Sequence, residues 1–251
     1  MKMHSGGWQT TIDRDLVLSG IGVHSGKDVS IILHPAEPDT GWTFIVNNGN
    51  GRTARIPADF RMVSNATLCT VLSDGKGAVV ATVEHLLAAL RGLNIDNIEI
   101  EIDGDEVPIM DGSAAAFVDA IDEAGTCVLD EPRRWIKILK PVRIESGDSS
   151  AELRPHHSSR FDVTIDYETP LIGRQRLDID LTPSVFRSEI SRARTFGFMK
   201  DVKALWAAGR ALGSSLDNTV ALGEDRILNP EGLRFENEFV RHKTLDAVGD
   251  L

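Results

Sequence analysis

The order of strand-like and helix-like segments constrains the fold of this chain more than any other feature of its sequence. Between 10 and 72, short apolar runs such as 28–34 alternate with Gly, Pro and Asn, a pattern typical of an antiparallel meander. Two helix-period segments follow at 82–93 and 113–124, and an alternating strand lies between them at 96–102. Strands followed by helices predict an α+β fold.

The same order returns in the second half of the chain. A turn-rich segment at 130–134 comes first, and a helix is predicted from about 234 to 251. The strand-like runs between them are 135–139, 142–144, 161–167 and 176–179. We place a domain boundary at the turn, which gives a first domain of 1–130 and a second of 131–251. The repeated order is compatible with an internal duplication, although the halves share little residue-level similarity.

Composition excludes several classes of function. The formal net charge is −11, so the overall field repels nucleic acids and anionic membrane surfaces. No apolar run approaches the ~20 residues of a membrane helix, and the N-terminus lacks the pattern of a secretion signal. There are two cysteines, Cys69 and Cys127. We expect a cytoplasmic protein whose thiols stay reduced and pack as small hydrophobic groups.

The predicted last helix carries a histidine and an aspartate on an apolar face. That face holds Phe235, Phe239, His242, Asp246 and Gly249, which follow the spacing of three and four residues. A carboxylate that faces the core needs a compensating partner, and a bound cation is one such partner. The alternative is that Asp246 pairs with Lys243 or Arg241 and that His242 is a hydrogen-bonded core histidine. The motif alone leaves both interpretations open.

The helix predicted at 82–93 offers matching groups. His85 shares a face with small residues such as Ala88, which leaves room for another segment beside the imidazole, and Glu84 lies on the adjacent face. Two imidazoles and one carboxylate, with a second carboxylate close by, match a catalytic zinc site with a general base. The candidate ligands are His85, His242 and Asp246, and Glu84 is the candidate base.

Other motifs carry less information. The glycine-rich loop at 20–27 resembles a phosphate-binding loop superficially, but Ile21 stands where that loop needs a glycine, so we exclude nucleotide hydrolysis. His24 in this loop is a further metal candidate, although a turn residue with local hydrogen bonds is the favoured interpretation. His156 and His157 follow a proline in a polar loop, and we expect them to be solvated.

The segment 196–220 carries many apolar side chains for a connection between strands. It is either an ordinary core helix or a flap that lines an apolar passage. Its residue pattern leaves both interpretations open.

Five blocks of sequence, taken in order, carry a resemblance to a known family. They are Gly-Ile-Gly-Val-His-Ser-Gly-Lys at 20–27, Thr-Val-Glu-His-Leu at 82–86, Pro-Ile-Met-Asp-Gly-Ser-Ala at 108–114, Ser-Arg-Ala-Arg-Thr-Phe-Gly-Phe at 191–198 and Phe-Val-Arg-His-Lys-Thr-Leu-Asp at 239–246. Together they resemble the UDP-3-O-acyl-N-acetylglucosamine deacetylases, the zinc amidases of lipid A biosynthesis. The resemblance implies two similarly built two-layer α/β sandwich domains that pack together with the active site between them.

The resemblance also implies a reaction and a set of roles. The reaction is hydrolysis of the N-acetyl group of UDP-3-O-acyl-N-acetylglucosamine to UDP-3-O-acyl-glucosamine and acetate. The three candidate ligands would hold one Zn²⁺ per chain, and Fe²⁺ is an alternative because the ligand set admits both. Glu84 falls on the base, and Thr195 and Lys243 fall on groups that polarise the amide carbonyl and stabilise its oxyanion. Substrate contacts are implied for Phe196, Tyr167, Leu68 and Cys69.

Three further expectations follow from the resemblance. The segment 196–220 matches an insertion that holds the fatty acyl chain in an apolar passage, which favours the flap. Relatives continue past the position of Leu251 and supply from there a histidine that protonates the leaving amine, so we expect a truncated chain with poor turnover. We expect a monomer that acts on a small UDP-sugar, without nucleic acid and without insertion into a membrane. The competing hypothesis is a catalytically impaired or metal-free binding module on the same fold.

Overall fold

The computed structural model describes residues 7–47 and 53–251 and has the α+β fold expected from the sequence. Residues 1–6, on which the expectation about a secretion signal depends, lie outside the described part. The strands are β1 (Trp8–Ile12), β2 (Leu16–Ile21), β3 (Asp28–Pro35), β4 (Trp42–Asn47), β5 (Thr53–Pro57), β6 (Val63–Asn65), β7 (Val71–Ser73), β8 (Val79–Ala81), β9 (Ile98–Ile102), β10 (Thr126–Pro132), β11 (Val142–Ser146), β12 (Ser149–Leu153), β13 (Arg160–Asp166), β14 (Arg174–Asp180), β15 (Phe196–Phe198) and β16 (Val220–Leu222). The helices are α1 (Glu84–Gly92), α2 (Ala115–Ala124), α3 (Pro183–Val185), α4 (Val202–Ala207) and α5 (Glu238–Asp250), with a π-helical turn at Phe186–Ile190 and 3₁₀ turns at Phe60–Met62 and Met199–Asp201.

A five-stranded sheet in the order β2-β3-β9-β4-β5 organises the first half of the chain. The predicted antiparallel meander is wrong in one respect, because β9 lies between β3 and β4 and pairs with β4 in parallel. Strand β9 alternates as predicted, with Ile98, Ile100 and Ile102 buried. Parallel neighbours need a crossover connection, and the crossover from β4 to β9 contains α1. The position of β9 therefore fixes where α1 enters the fold.

Helix α1 is buried on nearly every side. Leu86 and Leu90 belong to one apolar cluster with Ile100 of the sheet and Phe117 of α2. Helices α2 and α5 both pack against α1, which is why even its polar residues Glu84 and His85 are buried. A helix that is covered all round is held by its packing rather than by its propensity. Truncation of Leu86 to Ala would cost about 2–5 kcal/mol.

The chain passes through the predicted domain boundary as part of a strand. Strand β10 runs to Pro132 and pairs with β1, so the segment 130–134 is only partly a turn. The strand predicted at 135–139 is wrong: these described residues form no strand, and Ile136 and Leu139 are exposed. A short apolar run becomes a strand only where a partner strand pairs with it. The division into two domains stays a prediction.

The strands that follow form separate hairpins. Strand β11 pairs only with β12, and β13 pairs with β14, among the described residues. The last helix starts at Glu238, four residues later than predicted. Residues 234–237 form a turn instead, in which the Arg234 amide donates to the Glu238 carboxylate. Phe235 consequently lies outside the helix, where its ring faces the Arg241 guanidinium at 4.5 Å.

Helix α5 packs directly against α1 at a glycine. A Cβ on Gly249 would lie 2.1 Å from the Glu84 carbonyl oxygen and 3.0 Å from the Ala88 nitrogen. Only a residue without a side chain permits this approach of two helix backbones. The small residues predicted to leave room beside His85 thus do so. This contact brings the polar residues of the two helices together.

Within residues 7–47 and 53–251, no helix is long and apolar enough to cross a membrane.

Candidate metal centre

Helices α1 and α5 bring His85, His242 and Asp246 into one group. One ligand atom from each of the three residues lies within 4.8 Å of the others. The Asp246 Oδ1 atom is 3.6 Å from His85 Nε2 and 3.4 Å from His242 Nε2. The two imidazole rings meet edge to face, with centroids 5.0 Å apart. The three residues that the sequence analysis selected as ligands therefore share one buried pocket.

Local structure before α1 holds His85 in place. Thr82 has a φ of 57°, a left-handed conformation that is costly for a β-branched residue. Its hydroxyl donates to Glu106 Oε1 at 3.0 Å, inside the buried region. The same carboxylate accepts from the His24 and Ser25 amides. Glu106 thus fixes the turn that starts α1.

An unpaired oxygen of Asp246, which His85 faces through Nε2, fits a bound cation. Among the described residues, His85 Nδ1 and Asp246 Oδ1 are buried polar atoms without a hydrogen-bond partner. Such an atom costs about 1–3 kcal/mol when it stays unpaired. Two imidazoles and a carboxylate are also the donors that zinc and related divalent metals use. A divalent cation would satisfy Asp246 Oδ1 and use the donor set that is present.

The charges of the group point the same way. Burial lowers the pKa of His242 to about 3, so this imidazole is neutral. Burial would raise the pKa of Asp246, but the basic groups beside it outweigh burial and lower this pKa. Burial would likewise lower the pKa of His85, yet the nearby Asp246 carboxylate outweighs burial and raises it. Asp246 is therefore an ionised carboxylate, whose negative charge a bound cation would neutralise.

Neighbouring groups orient the candidate ligands. The Nδ1 atom of His242 lies 3.0 Å from the Ala193 carbonyl oxygen; donation by Nδ1–H to this carbonyl leaves Nε2 as the free nitrogen. The Lys243 ammonium donates to Asp246 Oδ2 at 2.8 Å. The pairing of Asp246 with Lys243, which the sequence left as an alternative to metal binding, is thus present and occupies only one carboxylate oxygen.

Glu84 lies next to His85 at the start of α1. Its Oε2 atom accepts from the Thr70 amide at 3.1 Å, and the side chain is buried. Burial is the largest influence on this carboxyl and raises its pKa to about 7, with a further contribution from Asp246. Glu84 is therefore a carboxyl that exchanges a proton near neutral pH.

Of the remaining predicted residues, four lie close to the candidate centre or to its neighbours: Phe196, Tyr167, Lys243 and Thr195. Phe196 lies beside the candidate centre, 6.2 Å from the His242 ring and 5.8 Å from the Tyr167 ring. The Lys243 ammonium lies 5.5 Å from the centre of the Phe196 ring. Thr195 precedes Phe196, and its amide donates to the Gly112 carbonyl at 2.7 Å. Phe196 and Lys243 therefore lie next to the candidate ligands, and Tyr167 contacts Phe196.

Leu68 and Cys69 lie on the loop that leads to Thr70. Leu68 is exposed and has a φ of 71°. Cys69 is buried as predicted, and burial raises the pKa of its thiol. Cys127 is partly buried. The structure thus places Leu68 and Cys69 near Glu84 through Thr70 rather than among the candidate ligands.

The other histidines lie elsewhere. His24 is a turn residue, as favoured from the sequence. Its side-chain hydrogen bond is not local, however, because Nδ1 accepts from the Ala211 amide at 3.3 Å. His156 and His157 are exposed and their rings lie 4.3 Å apart. Within the described residues, only His85, His242 and Asp246 form a group with metal-ligand spacing.

The segment 196–220 is not a core helix. Strand β15 starts it, α4 follows without a single buried residue, and β16 begins where it ends. Its exposed apolar side chains include Met199, Trp206, Leu212 and Leu216. The backbone at Leu212 and Gly213 is hydrogen-bonded to the carbonyls of the loop at His24 and Val23. The segment is an exposed arm that this loop holds in position.

Three buried charged residues were missed by the sequence analysis. They are Glu106, Arg194 and Glu238, each with an exposed fraction of 4% or less. Arg194 lies within one of the blocks that carry the resemblance, but a charged residue in a predicted loop is normally expected to be exposed to solvent. No sequence signal distinguishes these residues from surface charges.

Comparison with known proteins identifies the family of this chain. Residues 9–251 match the family described as UDP-3-O-acyl N-acetylglycosamine deacetylase. The UDP-3-O-acyl-N-acetylglucosamine deacetylases of Brucella ovis and Brucella canis are each 52% identical over 245 residues, which is 97% of this chain and 85% of each relative. The corresponding protein of Brucella melitensis biotype 2 is 51% identical over the same shares. The chain therefore belongs to the UDP-3-O-acyl N-acetylglycosamine deacetylase family.

Proposed function

We propose that this chain is a metal-dependent deacetylase that hydrolyses the N-acetyl group of UDP-3-O-acyl-N-acetylglucosamine, a step of lipid A biosynthesis. The observation that carries the proposal is the buried group of His85, His242 and Asp246, with two polar atoms that lack a partner in the described chain. The activity named for the relatives, at 52% identity over 97% of the chain, supplies the substrate.

The three residues would hold a divalent cation, proposed to be zinc with Fe²⁺ as the alternative. A bound zinc ion lowers the pKa of a coordinated water toward ~7 and polarises a carbonyl oxygen. The neutral Nε2 of His242 and the unpaired Oδ1 of Asp246 are the atoms that the structure leaves free for this purpose. Among the described residues, helix α1 contributes His85 and helix α5 the other two ligands, so the ion would join the two helices.

Glu84 is proposed as the general base for the attacking water. The Thr70 amide holds Oε2, which leaves Oε1 to take the proton. The same carboxyl can pass that proton to the leaving amine as the C–N bond breaks, so that water and amide become acetate and a free amine. General acid-base catalysis of this kind contributes about 10²–10⁴-fold to a rate.

Lys243 and Thr195 are proposed to stabilise the negative charge that develops on the acetyl oxygen. Burial would lower the pKa of Lys243, but the Asp246 carboxylate outweighs burial and raises it, so the ammonium stays charged. The ammonium lies 5.5 Å from the centre of the Phe196 ring, and the Lys243 side chain is 41% exposed. A preorganised cation of this kind stabilises an oxyanion strongly because little reorganisation is needed.

The exposed arm at 196–220 is proposed to line the passage for the acyl chain. Several of its apolar side chains are exposed, on a chain that is otherwise strongly charged, with a net charge of −11. Such a cluster fits an apolar ligand. Tyr167 and Phe196 would contact the nucleotide and sugar, and Leu68 and Cys69 would lie along the same approach. We further propose that the protein works in the cytoplasm as a monomer.

Metal content tests the proposal directly. The purified chain should contain about one divalent metal ion per molecule, measured by inductively coupled plasma mass spectrometry, and should release acetate from the acylated UDP-sugar. His242→Ala should lose the metal and the activity, whereas His157→Ala, a change at an exposed histidine, should retain both. A metal-free but folded protein, or undiminished metal in His242→Ala, would leave a binding module as the better description.

A further inference from the structure

A buried ion pair lies close to the candidate metal centre, and among the described residues it forms no side-chain hydrogen bond with the proposed ligands. The side chains of Arg194 and Glu238 are 1% and 0% exposed. Arg194 Nε donates to Glu238 Oε1 at 2.9 Å, and Nη2 donates to Glu238 Oε2 at 3.2 Å. The Arg194 amide also donates to Glu238 Oε1 at 2.9 Å. The carboxylate thus binds both the side chain and the backbone of Arg194.

Further bonds tie this pair to the chain around it. Arg194 Nη2 donates to the Gly232 carbonyl at 2.7 Å, and Nη1 pairs with Glu231. The second oxygen of Glu238 accepts from the Arg234 amide at 2.6 Å. Every donor and acceptor of the pair therefore faces a backbone or charged partner. The pair connects the segment before β15 with the turn that starts α5.

The two neighbours of Arg194 in sequence are the reason to assign it a role. Ala193 supplies the carbonyl oxygen that lies 3.0 Å from His242 Nδ1. Thr195 is the residue proposed to polarise the substrate carbonyl. Glu238 is the first residue of α5 and lies one helical turn before His242. One ion pair thus fixes the Ala193 carbonyl, Thr195 and the start of α5 relative to each other.

Stability alone is a weak reason for a buried ion pair, since replacement by apolar residues of similar size is often neutral or stabilising. We propose that Arg194, clamped by Glu238, is a positioning residue that sets the tautomer of His242 and the location of Thr195. This inference rests on the proposed function, because it concerns the ligand and the carbonyl-polarising residue of that site. Arg194 acts through the Ala193 carbonyl and has no contact with substrate.

The physical consequence is a fixed Nδ1–H on His242. While the Ala193 carbonyl is held, the neutral imidazole keeps its proton on Nδ1 and presents Nε2 to the metal. If the carbonyl moves, part of the population carries the proton on Nε2, which cannot then bind the ion. Loss of an outer hydrogen bond to a metal-ligating histidine typically costs ~10–100-fold in metal affinity.

The test compares Arg194→Met with the double variant Arg194→Met/Glu238→Met and with Arg194→Lys. The single change leaves Glu238 buried and unpaired, which threatens folding, and the double change removes that penalty. Arg133→Met is the matched control, because Arg133 is also buried, at 7% exposure, and is paired with Asp96 away from the metal group. Each variant is studied as the whole chain, by thermal unfolding, zinc affinity in competition with a chelator, and steady-state kinetics.

We expect the double variant to recover much of the thermal stability and still bind zinc ~10–100-fold more weakly than the parent. Its kcat should fall with little change in KM, because Thr195 acts on the reacting carbonyl. In the metal-free protein, the ¹⁵N shifts of His242 should change from one tautomer to a mixture. Arg194→Lys should show a smaller loss of zinc affinity, and Arg133→Met should lose stability and keep its zinc affinity.

The inference is overturned if the folded double variant binds zinc and turns over like the parent, or if Arg133→Met loses as much zinc affinity as Arg194→Met does. The first result would make the pair a purely structural one, and the second would trace the loss to general destabilisation. If the parent itself binds no metal that His242→Ala removes, the proposed function fails and takes this inference with it. A parent that binds metal normally confines any failure to the role of Arg194.

Discussion

Replacement of Gly249 by alanine tests the link between helix packing and the metal centre. The added Cβ would lie 2.1 Å from the Glu84 carbonyl oxygen and 2.9 Å from the Glu84 carbonyl carbon. Non-bonded heavy atoms pack best at ~3.5 Å or more, so α1 and α5 would have to separate locally by roughly 1 Å. Both neighbours are backbone atoms of a buried helix, and no side-chain rotation relieves the contact.

Two effects of this substitution oppose each other. Alanine is favoured over glycine inside a helix by about 1 kcal/mol, which would raise the free energy of unfolding. Overpacking in a tight core costs about 1–3 kcal/mol. We expect the clash to prevail with a net loss of up to ~2 kcal/mol. For a chain of this size each kcal/mol lowers the Tm by about 2–4 °C.

The effect on the metal centre should exceed the effect on stability. Functional groups need to stay within about 0.5 Å of their productive positions, and a misplacement of ~1 Å costs about 10²-fold in rate. Thermal unfolding, chelator competition for zinc and acetate release measure the three quantities on Gly249→Ala. Gly7→Ala is the control, since a Cβ there meets no atom within 4 Å. A raised Tm with unchanged zinc affinity would refute the close contact of the two helices.

Three further predictions follow from the site. Glu84→Gln should keep the metal and lower turnover by ~10²–10⁴-fold; loss of the metal would show that Glu84 is a ligand. Burial would raise the pKa of Glu106, but hydrogen bonds from Ser25, His24 and Thr82 outweigh it and lower this pKa. The stabilisation by Glu106 is therefore complete at a pH above 4.5, the ordinary pKa of a glutamate, and is lost as the pH falls below it. In acid titrations the free energy of unfolding of Glu106→Gln should consequently fall less steeply than that of the parent. Equal slopes for the two proteins would contradict this. Leu212→Asp should weaken binding of the acylated substrate far more than binding of a de-acylated UDP-sugar, whereas Leu139→Asp should affect neither. Equal losses of affinity for both ligands in Leu212→Asp would argue against an acyl passage.

The residues of the candidate centre could be predicted because helical spacing is a local property. His242 and Asp246 are four residues apart on one helix, and His85 lies beside small residues on another, so each face is readable from the sequence. The contact between the two helices is not local. Gly249 marks it in the structure, but a glycine near a helix end usually reads as a cap.

The features that could not be predicted depend on partners distant in sequence. Strand β9 lies between β3 and β4, and strand order is not encoded in any one segment. The run at 135–139 is apolar and β-branched enough to resemble a strand, but it pairs with no strand in the described part of the chain. Arg194 and Glu238 are charged residues that become buried only because each neutralises the other. Such compensation becomes visible only once both residues are placed in three dimensions.

The placement of β9 has a consequence for how the chain acquires its structure. Strands β3 and β4 precede β9 in the chain and pair with β2 and β5, yet each gains its second neighbour in the sheet only when β9 arrives. Until then both present unpaired edges, which are prone to wrong pairing and aggregation, and closing such non-local contacts is intrinsically slow. Helix α1 lies in the same crossover, just before β9. Insertion of one central strand thus completes the sheet and orders the helix that carries Glu84 and His85 in a single cooperative event.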